Sequence, residues 1–256
     1  MVRLSPVQGK PALLISSKEK TLCIADLHLG YEVELQQMGF NLPDQTDSIL
    51  KSIMSINEGD RLLILGDLKH TIAFATRLEY FGLSRFFKSL AERYSQIDVI
   101  AGNHDGGLQK HIPSDVNYHG SSGIAIDKVG LTHGHSWPSQ GVMKSNKIVF
   151  AHIHPSVRLT DRMGTGNSVK VWLRGKVHRD RLLKRYPKIS VEESIIMPAF
   201  NHLITGSPVN ENKNPVSNPL MKSGFVNISD NHAYTLEGID LGAVAALLKE
   251  KTRNVR

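Results

Sequence analysis

The sequence contains one cysteine, Cys23, and this residue lies inside an apolar run. A single cysteine can build neither an intramolecular disulfide framework nor a thiolate metal site. The chain also lacks any run of about 20 apolar residues, which is the length that a membrane-spanning helix requires. Its N-terminus lacks the apolar stretch of a signal peptide. These absences predict a cytoplasmic protein that does not cross a membrane.

Internal repeats and low-complexity tracts are absent as well. The 256 residues, with 40% hydrophobic and 21% charged side chains, have the composition of a globular protein and are enough to bury a sizeable core. We expect residues 1–205 to form the core domain. Residues 206–256 are expected to form a C-terminal extension, made of a loop, a hairpin and a short helix, that packs on the same domain.

Basic side chains exceed acidic ones, and the excess is unevenly distributed. The chain has 31 Lys and Arg against 24 Asp and Glu, a formal net charge of +7. Between Arg174 and Lys188, seven basic residues accompany a single acid, Asp180. Such clustering suits a phosphate-rich partner, although a solvated loop would show the same pattern. Arg179 and Arg181, within this segment, are candidate substrate contacts.

Three short apolar runs alternate with helical patterns in the first half of the chain. We predict strands at 21–25, 62–65 and 97–101 and helices at 31–38, 44–56 and 76–94, the second helix being capped by Asp44. In the third helix, apolar residues recur at helical spacing and the aromatic ones are expected to face the core; these apolar residues are Leu78, Phe81, Phe86, Leu90 and Tyr94. A β-α-β-α-β order is typical of a sheet covered by helices.

The pattern changes after Asp105. Short β-branched segments at 124–126, 129–132, 148–152, 157–160, 169–173 and 195–198 predict a second sheet packed against the first. A surface loop is expected at 206–219, a hairpin from 225–228 and 233–236, and a terminal helix at 241–251.

Polar side chains with metal-binding chemistry follow five of these strands. The segments are Asp26-Leu27-His28, Gly66-Asp67, Gly102-Asn103-His104-Asp105, Thr132-His133-Gly134-His135 and His152-Ile153-His154. On an extended segment, residues two apart leave on the same side and can share an ion. Each segment alone has an ordinary explanation as a cap or turn. Because an unpaired buried carboxylate is costly, the five together predict a site for two metal ions.

In this order, the five motifs resemble the calcineurin-like metallophosphoesterase superfamily over about residues 21–155. The segments Ala-Asp-Leu-His-Leu-Gly-Tyr-Glu, Gly-Asp-Leu-Lys-His and Thr-His-Gly-His-Ser-Trp-Pro are similar to a prokaryotic, chiefly archaeal, branch related to the DNA-repair exonucleases. The resemblance implies an α/β fold of the four-layer α+β type, in which two mixed β-sheets are sandwiched between helices. It also places the site at the C-terminal ends of the strands.

The resemblance further implies a ligand set for two divalent ions. One ion would be held by Asp26, His28 and His154, the other by Asn103, His133 and His152, with Asp67 bridging both. Imidazole and oxygen ligands without thiolate suit manganese, iron, zinc or nickel, and Mn²⁺ is common in the superfamily. A hydroxide between the two ions would attack the phosphoester in line.

The remaining candidate residues surround this set. His104 matches the non-ligand histidine of the family and would protonate the leaving oxygen, while Asp105 would orient His104 or a ligand, or be an ordinary turn residue. Lys69 and His70 follow Asp67 closely enough to face the substrate. His135 is a further substrate-side candidate, although either it or His133 could be the ligand. Ala151 stands where the family usually has glycine.

Three functions fit these features. The first is a metal-dependent phosphodiesterase that cleaves DNA or RNA. The second is a phosphomonoesterase or a phosphodiesterase of small or cyclic nucleotides, which net charge cannot separate from the first. The third is a non-catalytic interaction scaffold, which the presence of His104 and of all seven ligands disfavours. We expect the chain to be too short for the full capping and partner-binding segment of the repair exonucleases.

Overall fold

Two mixed β-sheets pack face to face, with helices on their outer faces, in a computed structural model that describes residues 2–71, 77–161, 165–211 and 218–248. This architecture confirms the expected fold class. None of the helices in those residue ranges has the length and apolar character that crossing a bilayer requires.

The first sheet contains six strands in chain order, which are β1 (Arg3–Pro6), β2 (Leu13–Ser16), β3 (Lys20–Ile24), β4 (Arg61–Leu65), β5 (Gln96–Ile100) and β6 (Val116–His119). The first three pair antiparallel, whereas β3, β4, β5 and β6 are parallel neighbours. Because parallel strands end at the same edge of a sheet, the residues after β3, β4 and β5 meet there.

Helices α2 (Thr46–Met54) and α3 (Arg77–Ala91) cover the outer face of this sheet, and helix α1 (Tyr31–Gln37) follows β3 in the chain. Alternation along the strands sends every second side chain outward. Leu22 and Ile24 of β3 therefore pack with Phe86 and Leu90 of α3 in a buried cluster. Tyr94 joins the same cluster, as the sequence predicts for this apolar face.

The second sheet follows, and its strands are β7 (Ile124–Ile126), β8 (Val129–Leu131), β9 (Lys147–Phe150), β10 (Pro155–Thr160), β11 (Gly166–Lys176), β12 (Glu193–Ile196), β13 (Ser207–Pro208), β14 (His232–Thr235) and β15 (Asp240–Ala243). Its order is β13-β10-β11-β12-β9-β8-β7, and β14 pairs with both β11 and β15. The short helices α4 (Gln140–Met143), α5 (Pro219–Lys222) and α6 (Val244–Leu247) pack on its outer face.

The inner faces of the two sheets form the central core. Cys23 and Leu63 of the first sheet meet Val149 and Trp172 of the second. Burial raises the pKa of the Cys23 thiol well above its usual range, so the one cysteine is a neutral core residue. Ala151 is fully buried in the same layer, and it is not among the residues with positive φ. Its backbone therefore does not require glycine.

The C-terminal part of the chain differs from the prediction. The segment predicted as a strand at 225–228 is not one, because the Asn227 side chain caps a 3₁₀ turn at Ile228–Asp230. The hairpin consists instead of β14 and β15. The terminal helix predicted at 241–251 was wrong over 241–243, where Gly242 adopts a positive φ of 92° that no helix accommodates. Residues 249–251 lie outside the described ranges.

Smaller differences occur at other boundaries. The Asp44 side chain accepts a hydrogen bond from the Thr46 backbone at 2.7 Å, but α2 begins only at Thr46. The predicted loop at 206–219 contains β13, and its residues 212–217 lie outside the described ranges, as does the predicted helix start at Thr76. The boundary between a core and an extension at residue 205 stays a prediction, although β13 and β14 pair with β10 and β11.

Candidate metal centre

The predicted ligands lie where strands end, on an unusual backbone. Five of the seven non-glycine residues with positive φ in the described chain are predicted ligands: Asp26 (55°), His28 (42°), Asp67 (49°), His152 (71°) and His154 (45°). A left-handed conformation costs a non-glycine residue about 1–3 kcal/mol and persists only where its surroundings enforce it. Such strain is concentrated at functional sites, so its clustering here supports a site at this edge.

This backbone also corrects the geometric reason for grouping Asp26 with His28. Strand β3 ends at Ile24, so these two residues are not on an extended segment. They come together because the main chain is held against the loop after β4, where Asp26 N donates to Gly66 O (3.1 Å) and His28 N donates to Asp67 O (2.9 Å). Paired loops, rather than strand alternation, place both side chains.

Two groups of donor atoms share one carboxylate. Asp26, His28, Asp67 and His154 form the first group, and Asp67, His133 and His152 form the second; within each, the donor atoms lie within 4.8 Å of one another. Asp67 Oδ2 lies 3.5 Å from His28 Nε2 and 3.3 Å from His133 Nε2. Asn103 is exposed beside the second group, with its Oδ1 3.2 Å from His133 Nε2. All seven predicted ligands are therefore neighbours.

The inner donors lack the partners that buried polar atoms normally have. Both oxygens of Asp26, Nε2 of His28 and Nε2 of His154 are buried without a hydrogen bond. These buried oxygen and nitrogen atoms lie close together, and a bound cation would give each of them a partner. Their arrangement therefore fits a metal ion. Imidazole and carboxylate donors without thiolate suit Mn, Fe, Zn or Ni. The residues fit a divalent metal centre.

The electrostatics of the cluster also suit cation binding. Burial alone would raise the pKa of Asp67, but hydrogen bonding and charge from His133 hold that pKa below its usual range. Burial would lower the pKa of His133, yet Asp67 and Asp26 raise it to about 9. Because His133 Nδ1 donates to the Leu65 carbonyl at 2.8 Å, the proton that a cation would displace is the one on Nε2.

Two other histidines of the cluster are neutral. Burial lowers the pKa of His28 to about 3 and that of His152 to about 4. A histidine must be neutral to bind a metal ion, so these side chains need lose no proton when they bind.

Gly102 and Asp105 hold the loops after β4 and β5 together. A side chain at Gly102 would collide with the Asp67 carboxylate and backbone, so glycine is required for this close approach. Asp105 accepts hydrogen bonds from the backbone N–H groups of Gly102 (2.8 Å), Leu68 (3.0 Å) and Lys69 (3.3 Å). Its carboxylate therefore contacts loop backbone on both sides of the cluster.

His104 lies over the first donor group. Its backbone N–H donates to Asp67 Oδ1 at 2.9 Å, and its Nδ1 is hydrogen-bonded to the His70 carbonyl. The His104 and His28 ring centroids are 4.8 Å apart in an edge-to-face arrangement. His104 Nε2 is the ring atom left to face a substrate.

The candidate substrate contacts occupy different environments. Lys69 is buried, and its ammonium donates to the carbonyls of Thr71 and His104. His70 contacts His28, with Nδ1 atoms 3.2 Å apart. His135 lies beside His133, with ring centroids 5.2 Å apart, on the wall of a cavity of about 320 Å³. Arg179 and Arg181 lie on an exposed 3₁₀ turn that spans Arg179–Leu182.

Two residues that the motifs did not reveal support the loop after β3. Asn201 is fully buried and donates from Nδ2 to the Leu27 carbonyl at 2.8 Å. Lys170 donates to the carbonyls of Ala199 (2.7 Å) and Asn201 (2.6 Å). Asn201 follows a predicted strand end, as the ligands do, and this signal could have identified it. Lys170 lies within a strand and carries no such signal.

Comparisons with known proteins bear on the family and the fold. A family model described as calcineurin-like phosphoesterase matches residues 19–217. Among solved structures, the nuclease MPE of Pseudomonas putida is similar, with a TM-score of 0.54 and 16% sequence identity over 93% of this chain and 100% of that one. At this identity the likeness shows the fold. A search among curated proteins gave no significant match. Because the family model covers most of the sequence, including all seven predicted ligands, the chain belongs to the calcineurin-like phosphoesterase family and is a hydrolase of phosphoester bonds.

Proposed function

We propose that this protein is a dinuclear metal-dependent phosphodiesterase that cleaves nucleic acid strands. The observation that carries the two-metal part is the position of Asp67, whose carboxylate belongs to both donor groups. Asp26, His28 and His154 would hold one ion and Asn103, His133 and His152 the other. Mn²⁺ is the ion we expect, with Fe, Zn and Ni also compatible with these donors. Two bound divalent ions supply charge that lowers the pKa of a water molecule and stabilises the phosphoryl oxygens.

His104 supplies the proton for the leaving group in this proposal. The hydrogen bond from its Nδ1 to the His70 carbonyl fixes the ring plane. Its backbone N–H, bonded to Asp67 Oδ1 at 2.9 Å, fixes the loop relative to the shared carboxylate. A protonated Nε2 can then donate to the leaving alkoxide oxygen, which is a poor leaving group unless it is protonated. Lys69 supports this arrangement, since its ammonium holds the His104 carbonyl.

A basic surface beside the site supports a nucleic acid substrate. The basic segment, defined as residues 174–188, packs on the chain that follows His133: Tyr186 donates to the Pro138 carbonyl at 2.7 Å. The Arg185 guanidinium lies 4.1 Å from the centroid of the Trp137 ring. Trp137 is four residues beyond His133, a distance of at most about 14 Å along an extended chain. Trp137 is half-buried under Arg185, and the cations of the segment suit the phosphates of a single strand.

Charge reversal tests this assignment. Replacing Arg179, Arg181, Lys184 and Arg185 with Glu is expected to weaken binding of single-stranded DNA or RNA and to flatten its salt dependence. The slope of the logarithm of the binding constant against the logarithm of the salt concentration should become less steep by about 0.7 for each phosphate that the segment no longer neutralises. Hydrolysis of bis-nitrophenyl phosphate should be unchanged, because this small diester does not reach the segment. Fluorescence anisotropy over a salt series measures the slope.

The matched control variant carries Glu at four exposed lysine positions, namely Lys18, Lys20, Lys51 and Lys88. These replacements change the net charge by the same amount. This control should keep most of the affinity and the original slope. Equal slopes for wild type and the basic-segment variant would contradict nucleic acid binding through this surface.

The cavity beside His135 favours one alternative, a phosphoesterase for small nucleotides. Its volume of about 320 Å³ and its lining by Lys110, Tyr118 and Ser121 suit a ligand of mononucleotide size. A panel with Mn²⁺ separates the two substrates: bis-nitrophenyl phosphate, nitrophenyl phosphate, cyclic nucleotides, single- and double-stranded DNA, and RNA. We expect hydrolysis of diesters and of nucleic acid. Faster hydrolysis of monoesters or cyclic nucleotides would favour the alternative.

A further inference from the structure

His70 occupies a connecting position that its place in the sequence does not reveal. Its Nδ1 lies 3.2 Å from His28 Nδ1, and its Nε2 lies 2.5 Å from Glu34 Oε2 on helix α1. The Tyr31 ring packs against the His70 ring, with centroids 4.8 Å apart. The His70 backbone N–H donates to the Leu29 carbonyl at 2.9 Å. The ring is therefore held on several sides.

The binding atom of His28 determines which group is the donor in the His28–His70 and His70–Glu34 hydrogen bonds. Its Nε2 faces Asp67 Oδ2 and lacks a hydrogen bond, so Nε2 is the atom available to a metal ion. A nitrogen that binds a metal carries no proton, and a neutral imidazole then carries its proton on Nδ1. His28 Nδ1 must donate to His70 Nδ1. His70 in turn carries its proton on Nε2 and donates it to the Glu34 carboxylate.

We propose that His70 and Glu34 are positioning residues that fix the tautomer and orientation of His28 for metal binding. Metal-bound histidines commonly donate their second N–H to a carboxylate or carbonyl, which orients the ring and raises its basicity. Here an imidazole stands between the histidine and its carboxylate. The inference rests on the metal-binding part of the proposed function. It extends that site to helix α1, which supplies none of the predicted ligands.

Variants of His70 test the first step. His70→Leu removes the acceptor for His28 Nδ1 and is expected to weaken Mn²⁺ binding at one site by about 10–100-fold. His70→Asn places an amide oxygen near the position of Nδ1 and is expected to restore most of that affinity. Isothermal titration with Mn²⁺ alone measures both, and thermal unfolding checks that each variant folds. Wild-type affinity in His70→Leu would overturn the proposal.

A double-mutant cycle tests whether Glu34 acts through His70. Glu34→Ala is expected to weaken Mn²⁺ binding in the wild-type background and to have no further effect in His70→Leu. Glu58→Ala, an exposed glutamate away from α1, is the control and should leave both affinities unchanged. An equal effect of Glu34→Ala in both backgrounds would overturn the relay. The absence of any effect of Glu34→Ala in both backgrounds would also overturn it.

These titrations use no substrate, so they remain informative whatever the protein hydrolyses. If nucleic acids are not cleaved but the cycle behaves as described, the substrate assignment fails and the relay stands. If Mn²⁺ binds tightly and His70 and Glu34 have no effect on it, the relay fails and the proposed function stands.

Discussion

Replacing Asp67 with asparagine is expected to reduce hydrolysis to background and to remove at least one bound ion. The amide keeps the shape of the side chain but removes the negative charge shared by the two donor groups. Two cations held close together repel each other, and a bridging carboxylate offsets part of that repulsion. Metal analysis of the purified protein after incubation with Mn²⁺, together with turnover of bis-nitrophenyl phosphate, measures both effects.

The variant should still fold. Without Asp67 the raised pKa of His133 loses its main support, so His133 becomes neutral rather than remaining an uncompensated buried cation. Asp47→Asn on the outer surface of helix α2 is the matched control and should keep both ions and full turnover. Full activity of Asp67→Asn with two ions bound would rule out the shared role.

Replacing His104 with alanine is expected to lower turnover of nucleic acid by about 10²–10⁴-fold without changing the metal content. The side chain lies outside the two donor groups that share Asp67, although it joins His28 and His70 in a third histidine group. If His104 is a proton donor, His104→Ala should lower turnover and keep the metal content; if it is a ligand, the metal content should fall as well. A drop in bound Mn²⁺ would identify His104 as a ligand.

The leaving group gives this prediction a second readout. Nitrophenolate departs without needing a proton, whereas the alkoxide of a nucleic acid strand needs one. The decrease in turnover of His104→Ala should therefore be much smaller with bis-nitrophenyl phosphate than with single-stranded DNA. Equal decreases with the two substrates would contradict the role of a general acid.

The sequence allowed the fold to be predicted where burial determines it. Strands β3 and β4 are apolar on both faces because helices cover one side and the second sheet the other, so they stand out as continuous runs. Strand β5 is recognisable as well, although the buried Asp98 interrupts its apolar side chains. The hairpin of β14 and β15 was misplaced because it depends on the backbone of Gly242 and on pairing with the distant strand β11. Such tertiary pairing leaves no local pattern.

The seven candidate ligands could be selected from the sequence for a related reason, and the structure places them close together. These ligands follow strand ends, which the apolar runs mark. The contacts that support the site are not marked by such runs. Asn201 is hydrogen-bonded to Leu27, which is 174 residues away in the sequence, and His70 is hydrogen-bonded to Glu34, which is 36 residues away. The left-handed backbone at Asp26 and His28 could not be predicted either, because ordinary preferences oppose it and only the paired loops impose it.

The most direct test of the two-metal centre is the number of Mn²⁺ ions bound by the wild-type protein. Equilibrium dialysis of the metal-stripped chain against Mn²⁺, followed by elemental analysis, measures this number. We predict two ions per chain at saturation. Saturation at one ion or none would contradict the shared role of Asp67 on which the proposed chemistry depends.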